Sequence, residues 1–376
     1  MIKLFVTGDN HFGKKYDRYP EAKERLIASR FESFEGMIRR AEEENCSFFV
    51  VTGDLFDNNS TVRTQDVRKT AGILSSFSGT VLVLPGNHDY YTGEEKLWKD
   101  FSSAVASLGG NVVLLKDMKR YDFDCGDETL AVYPAPCASK HSKENNLGWI
   151  KTADITGTDY SIGIAHGSLA GLSPDMNNEY YLMTEQELNA IPVDAWLIGH
   201  THIPYPRIEA EKEMRGYKIF NPGTHEQTDL SNNTEGYAYV VTVSKADGNA
   251  DVAAKSVVSG RIRFYDIALT VRDGDVLSEK IRRSLSDCED SSVVRLRVEG
   301  TLPAEEYVSR HQAYEAELSR FIAYETVDFD LCEAITQEKI RAEFAEIGFA
   351  AEFLGELLDD PVEAQMAYQL LNRCRE

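Results

Sequence analysis

Short apolar runs alternate with amphipathic stretches over the first 260 residues. The runs fall at 2–7, 48–52, 81–84, 112–115, 130–133, 162–165, 195–198, 217–220 and 237–243, and they are rich in β-branched and aromatic residues. Runs of that length and composition read as buried strands. Between the first two, Leu26, Ile27, Phe31, Phe34, Met37, Ile38 and Ala41 fall at helical spacing within residues 21–45. They make one apolar stripe along one helix. Residues 65–77 and 94–108 read as further helices, and 244–249 as a hairpin turn or the start of a linker. Alternation of this kind predicts an α/β domain over residues 1–260.

Beyond about residue 260 the pattern changes. Residues 263–271 read as a strand, 276–285 as a helix, 293–299 as a strand, 304–323 as a helix and 326–331 as a short strand, with two helices to the end. This β-α-β-α-β order predicts a small α+β appendage over 261–376 with a helical tail. Ile340, Phe344, Ile347, Phe349, Phe353, Leu354 and Leu357 stripe that tail. A core-facing stripe is the default reading, and a partner-docking face is the sharper one.

Composition narrows the class. With 376 residues, 42% hydrophobic and 27% charged, the chain is a soluble globular protein by type. It has no apolar run of about 18 residues, so no membrane span is expected. The residues after Met1 lack the basic segment, long apolar core and cleavage site of a signal peptide. Six cysteines are scattered without a C-x-x-C pair, which suits a reduced, cytoplasmic protein. The charge is lopsided, with 40 basic against 62 acidic residues and a net charge of −22. Residues 261–376 hold 14 basic and 25 acidic side chains. Phosphate contact needs Lys and Arg, so this surface repels nucleic acid unless metals or a partner supply positive charge.

The ends of the apolar runs carry the chemistry. They lead into Gly8-Asp9-Asn10-His11, Gly53-Asp54-Leu55-Phe56-Asp57, Gly86-Asn87-His88-Asp89, His166-Gly167 and Gly199-His200-Thr201-His202. Each alone is a common turn or a surface histidine. Together they place five of the eight histidines at strand ends beside Asp or Asn, the edge where open α/β sheets build their sites. Imidazole with carboxylate suits Mn²⁺, Fe²⁺, Zn²⁺ or Ni²⁺. Seven oxygen and nitrogen ligands exceed the needs of one tetrahedral zinc. Two metals about 3.5–4 Å apart, sharing one carboxylate, use them all; such a pair holds a hydroxide and clamps a phosphoryl oxygen.

The ordered set GDNH, GDLFD, GNHD, AHG and GHTH resembles the calcineurin-like metallophosphoesterase superfamily. The resemblance covers roughly residues 1–245 and implies a two-sheet α/β sandwich, here with a small C-terminal α+β cap. It implies that Asp9, His11 and His202 hold one metal, that Asn87, His166 and His200 hold the other, and that Asp54 bridges them. His88 would contact the phosphate as general acid, with Asp57 and Asp89 one layer behind it completing the catalytic set. Two divalent ions are expected, Mn²⁺ first, with Fe²⁺, Zn²⁺, Ni²⁺ and Mg²⁺ as alternatives. Within the superfamily, the long helix after GDNH, the VVTGDLFD stretch and a cap carrying Arg295-Leu296-Arg297-Val298-Glu299-Gly300 look like the SbcD-type DNA repair exonuclease subunit. That likeness implies DNA as substrate and an SbcC-like coiled-coil ATPase as partner.

Three functional readings follow. The first is a DNA-processing phosphodiesterase subunit. The second is a small-molecule or nucleotide phosphodiesterase or phosphatase whose appendage is a lid or makes a homodimer. The third is a non-catalytic scaffold, which would have no need of seven ligands and a histidine acid. Phe12 reads as core or pocket wall. Tyr90 and Tyr91 read as loop packing, and His141 and His311 as structural or surface residues. His225 reads as either a substrate contact or a surface loop histidine, and 177–181 as a loop shaping substrate entry.

Overall fold

The computed structural model describes the whole chain except residues 173, 174, 176, 209–212, 233, 247, 345–347, 375 and 376. The chain divides into two compact units, Met1–Arg263 and Phe264–Glu376. The first unit begins β1 (Ile2–Thr7), α1 (Lys23–Glu43), β2 (Phe48–Val51), α2 (Thr64–Ser75), β3 (Thr80–Val83), α3 (Lys96–Ala106), β4 (Val112–Leu114), β5 (Tyr121–Cys125) and β6 (Glu128–Ala135). It continues β7 (Tyr160–His166), α4 (Glu185–Ala190), β8 (Ala195–Gly199), β9 (Met214–Arg215), β10 (Ile219–Phe220), β11 (Tyr237–Ala246), β12 (Asn249–Val258) and β13 (Arg263–Val271), the last crossing into the second unit.

The strands form two sheets, one in the order β4-β3-β2-β1-β11-β12-β9 and the other β10-β8-β7-β6-β5. β1 through β4 run parallel, as do β6, β7, β8 and β10. Successive residues of a strand face opposite sides, and the core follows that rule. Leu4, Val6, Phe48, Val50, Leu82 and Leu84 point inward against Leu130, Val132, Ile162, Ile164 and Leu197 of the second sheet. Their neighbours Phe5, Phe49, Val51, Val81 and Val83 face outward onto Phe31, Phe34, Val67, Leu74, Trp98 and Phe101 of α1, α2 and α3. Ala131, Tyr133, Ala165, Trp196 and Ile198 cover the far face of the second sheet with Leu147, Ile150 and Leu188. The unit is therefore the expected two-sheet sandwich. Register levels the strand ends: Thr7 lies opposite Val51, Val51 opposite Val83, and His166 opposite Gly199.

The second unit pairs β13 with β14 (Ser292–Leu302) and β14 with the parallel β15 (Ala323–Glu333). Between them come α5 (Leu277–Ser284) and α6 (Ala304–Leu318). Leu277, Ile281, Tyr314 and Leu318 of these helices pack on Leu269, Val271, Val294, Leu296 and Val298. Among the described residues the tail holds three helices where the sequence predicts two: α7 (Gln337–Glu343), α8 (Phe349–Glu356) and α9 (Pro361–Arg373). The expected stripe is divided. Ile340, Phe344 and Leu354 are buried with Ala367, whereas Phe349 and Phe353 are exposed, and Ile347 lies outside the described residues.

Other differences are local. β5, β9 and β12 are not predicted by the apolar pattern, because β5 alternates partly exposed residues and β9 is two residues long. β11 and β12 pair antiparallel out to Ala246 opposite Asn249, as a hairpin does, and residue 247 lies outside the described residues. No described helix is long and apolar enough to cross a membrane, and all six cysteines are free thiols.

Candidate metal centre

Five loops leave the level strand ends together. β1 delivers Asp9 and His11, β2 delivers Asp54 and Asp57, and β3 delivers Asn87, His88 and Asp89. In the second sheet His166 ends β7, and His200 and His202 follow β8. Hydrogen bonds join the two sheets at this edge: His166 Nδ1 donates to the Thr52 carbonyl at 2.9 Å, and His200 N donates to the Asp9 carboxylate at 3.0 and 3.1 Å. Close approach is enforced by glycine. A Cβ on Gly53, whose φ is +111°, would sit 2.1 Å from His166 Nδ1; one on Gly86 would sit 2.2 Å from Asp54 Oδ1. No larger residue leaves that space.

Among the described residues, three groups of potential metal ligands have ligand atoms within 4.8 Å of one another, and two of them hold the predicted ligands: Asp9, His11 and His202, and Asp54, His166 and His200. His11 Nε2 lies 3.1 Å from His202 Nε2. Asn87 Oδ1 lies 3.0 Å from both His166 Nε2 and His200 Nδ1, and so joins the second group. Asp54 Oδ2 lies between the groups, 3.3 Å from His166 Nε2 and 3.9 Å from His11 Nε2. The structure thus brings together all seven residues predicted as ligands.

The three residues predicted to act beside the metals occupy different places. His88 Nδ1 lies 3.0 Å from the Asp57 carbonyl. A carbonyl only accepts, so Nδ1 carries the proton and Nε2 is the free end. The Asp57 carboxylate lies 3.4 Å from His11 Nδ1, and His11, Asp57 and His88 form a third close group. Asp89 is fully buried and accepts from Phe56 N (2.9 Å) and Gly86 N (2.7 Å). It braces the second loop against the third.

His225 is neither at the surface nor aimed at substrate. It is fully buried, with Nδ1 3.0 Å from Asn10 Nδ2 and Nε2 3.1 Å from the Arg30 carbonyl. Phe12 is core, stacked on Phe31. Two side chains that the motifs did not point to stand beside the ligands. The Tyr180 ring stacks on His200 with centroids 5.0 Å apart, and His141 follows at 5.1 Å from Tyr180.

The calcineurin-like phosphoesterase profile matches residues 2–204, more than half of the chain. The chain belongs to that family. It is also 25% identical over 323 residues to the uncharacterized metallophosphoesterase YhaO of Bacillus subtilis (strain 168), covering 79% of this chain and 73% of the relative. Among solved structures it is similar to the calcineurin-like phosphoesterase YfkN of Bacillus subtilis, at 14% identity and a TM-score of 0.41 over 68% of this chain and 90% of that one. It is similar as well to a dimetal phosphatase of Danio rerio, at 11% identity and a TM-score of 0.35 over 58% of this chain and 86% of that one.

The residues of this calcineurin-like phosphoesterase fit the two divalent ions that the family implies. Asp9 and Asp54 are buried carboxylates whose ion-pair partners among the described residues are histidines. In the metal-free protein, burial raises Asp9 to about 7, helped by the charge of Asp54. Burial, with Asp54 again adding, raises Asp89 to about 8. Burial would also raise Asp54, but the charge and hydrogen bond of His166 hold it well below the usual range. His166 is correspondingly lifted to about 9 against its own burial. Without metal, the neighbouring Asp54 and Asp9 charges favour the proton on His166. Burial keeps His11, His202 and His200 neutral, His200 at about 4, the state that ligates metal. The chain is a metal-dependent phosphoesterase with two ligand groups.

Asp54→Asn is expected to weaken metal uptake at both groups, whereas His202→Ala should empty mainly one. Metal analysis after Mn²⁺ loading and desalting checks this. Equal loss in both variants would remove Asp54 from its shared position.

Stability should follow proton linkage. Asp9, Asp89 and His166 keep protons in the metal-free fold up to about 7, 8 and 9, but release them at their ordinary 3.8, 3.8 and 6.5 when unfolded. From pH 6.5 to 9 the folded state holds the extra protons, so stability falls as pH rises. Below 6.5 the buried neutral histidines act the other way, since only their unfolded forms take up protons. The metal-free Tm should therefore peak at about pH 6.5 and drop toward pH 9. Saturating metal should remove the drop by displacing those protons. A metal-free Tm that stays level or climbs over that range contradicts the assignment.

Proposed function

We propose that this phosphoesterase cleaves DNA phosphodiester bonds in single-stranded or short substrates, as the nuclease subunit of an SbcCD-like complex. The observation that carries the reading is the aromatic shelf beside the metal ligands. Tyr180 lies against His200 with 29° between the rings, and His141 extends the surface outward. A base stacked on an aromatic ring gains roughly 1–3 kcal/mol whatever its identity. A shelf there would hold a base next to the phosphate being cut.

Two divalent ions, when bound, supply positive charge to the phosphoryl group and an activated water at neutral pH. The chain supplies the rest. His88 keeps its Nδ1–H on the Asp57 carbonyl, so a doubly protonated ring presents Nε2–H to the leaving oxygen. Its backbone N–H donates to Asp54 Oδ1 at 2.8 Å, which fixes the imidazole relative to the ligand that both groups share.

The charge pattern limits the substrate and calls for a partner. With a net charge of −22, the isolated chain should bind long duplex DNA poorly. An SbcC-like coiled-coil ATPase would bring the basic surface, and of the described tail positions only the exposed Phe349 and Phe353 are left as a candidate docking face, since Ile340, Phe344 and Leu354 are buried.

Short single-stranded DNA with Mn²⁺ should be cut, and Tyr180→Ala should slow that cleavage about 5- to 100-fold, with bis-p-nitrophenyl phosphate turnover largely kept. Rapid hydrolysis of nucleotides or phosphorylated metabolites with no DNA cleavage would favour the small-molecule reading instead. Tight duplex binding by the isolated chain at about 0.1 M salt would remove the need for a basic partner.

His88→Asn is expected to keep both metals and to lose about 10²–10⁴-fold in rate on substrates with poor leaving groups. Activated aryl esters should be affected less. Unchanged turnover of an unactivated diester would remove the acid role.

A further inference from the structure

Asp9 and His11 both hold left-handed backbone, at φ +49° and +47°, a conformation that costs such residues about 1–3 kcal/mol each unless the surroundings impose it. Between them lies Asn10, whose carbonyl accepts two donors from one side chain. Arg30 Nε reaches it at 3.0 Å and Nη2 reaches it as well. Arg30 comes from α1 and is only 2% exposed. Its remaining nitrogen donates to Tyr16 Oη at 3.1 Å and to the Glu226 carbonyl at 3.4 Å. Each of these bonds is made to backbone or to a neutral hydroxyl, and none to a metal ligand's side chain.

The buried cation has its counter-charge nearby in Glu226, itself 2% exposed. That carboxylate accepts from Ser29 Oγ, from Ser33 Oγ at 3.1 Å, and from the backbone N–H groups of Arg261 (2.7 Å) and Ile262 (3.2 Å). Other bonds pin the same turn. Thr224 Oγ1 donates to the Asp9 carbonyl at 2.9 Å, and the Asn10 amide donates to Thr7 Oγ1 and to His225. A guanidinium is a rigid planar fork. Two of its N–H groups on one carbonyl fix the plane of the Asn10–His11 peptide and thereby the direction in which His11 leaves it.

We propose that Arg30, with Glu226 as its buried counter-charge, is a positioning residue for the metal centre. It fixes the Asn10 peptide and so the relative aim of Asp9 and His11. The first ligand group, Asp9, His11 and His202, depends on it. The second, Asp54, Asn87, His166 and His200, takes none of its ligands from the Asp9–His11 turn and is hydrogen-bonded to it through His11 N on the Asp54 carbonyl and His200 N on the Asp9 carboxylate, so it depends on Arg30 much less. This rests on the reading that the site takes two ions.

The test is Co²⁺ binding to the metal-free full chain, followed by visible absorption and calorimetry, with thermal melts of each metal-free variant. Wild type should show two sites. Arg30→Met should weaken one of them about 10- to 100-fold, the usual effect of removing a partner behind a ligand, and leave the other within about threefold. Arg30→Lys, which keeps the charge but on one nitrogen with no planar fork, should fall between the two. It supplies the same comparison if the methionine variant does not fold. In a His202→Ala background, where only the second group is complete, Arg30→Met should leave Co²⁺ affinity within about threefold. Two wild-type sites with neither affinity altered in the variants, or both weakened equally alongside a lowered melting temperature, would overturn the inference alone. A wild-type chain that binds fewer than two ions would overturn the two-metal reading and this inference with it.

Discussion

Asp9 and Asp54 are buried where two sheet edges meet, and the site is organised around the cost of their charge. An unpaired carboxylate in a protein interior either finds positive charge or takes up a proton. Both responses are visible in the metal-free chain: Asp9 is pushed toward the neutral form while His166 is held charged beside Asp54. Divalent ions meet the same demand with more charge and with directional bonds to the surrounding imidazoles. The buried carboxylates therefore explain why histidines gather here and why burial keeps three of them neutral.

The backbone carries a matching strain. Asp9, His11, Asp54 and His200 all have positive φ. Four such residues in one site cost several kcal/mol together, at about 1–3 each. The sandwich can sustain this because its strands are buried on both faces and their ends are held level by parallel pairing. Loops leaving a rigid edge are anchored at their starting points, and crossing bonds such as Asp9 N to the Gly53 carbonyl and His11 N to the Asp54 carbonyl tie each loop to the next.

Much of the centre was legible in the sequence because its ligands follow apolar runs directly. A strand that ends in Gly-Asp or His-Gly states both the element and the position of the side chain at its edge. The supporting residues were harder to see. Tyr180 reaches His200 from a loop that the sequence marks only as shaping substrate entry, and His225 reads as a substrate contact or a surface loop histidine until the fold buries it beside Asn10. Arg30 did leave a signal: it lies four residues after Leu26 and four before Phe34, on the apolar face of α1, where an unpaired cation is costly. Its partners come from residues 10 and 226, too distant for any local pattern to reveal. In the tail, apolar spacing could not distinguish buried Leu354 from exposed Phe353, since neighbouring residues of one short helix differ only in what packs on them.

An acidic chain with a phosphate-ester substrate presents a conflict that the centre resolves only over short range. At physiological salt, exposed charges are screened over about 8–10 Å, so surface carboxylates far from the cleft oppose a long polyanion more than a short one. A duplex lying along the surface meets many of them at once. A single strand or a mononucleotide entering at the sheet edge would meet mainly the site itself. Two dications, once bound, would reverse the sign of the field there, while the chain's net charge of −22 would still oppose a polyanion elsewhere. Selection for small or single-stranded substrates would then need no dedicated gate. It would arise from the contrast between a cationic centre and an acidic exterior, and a basic partner would extend the range by covering part of that exterior.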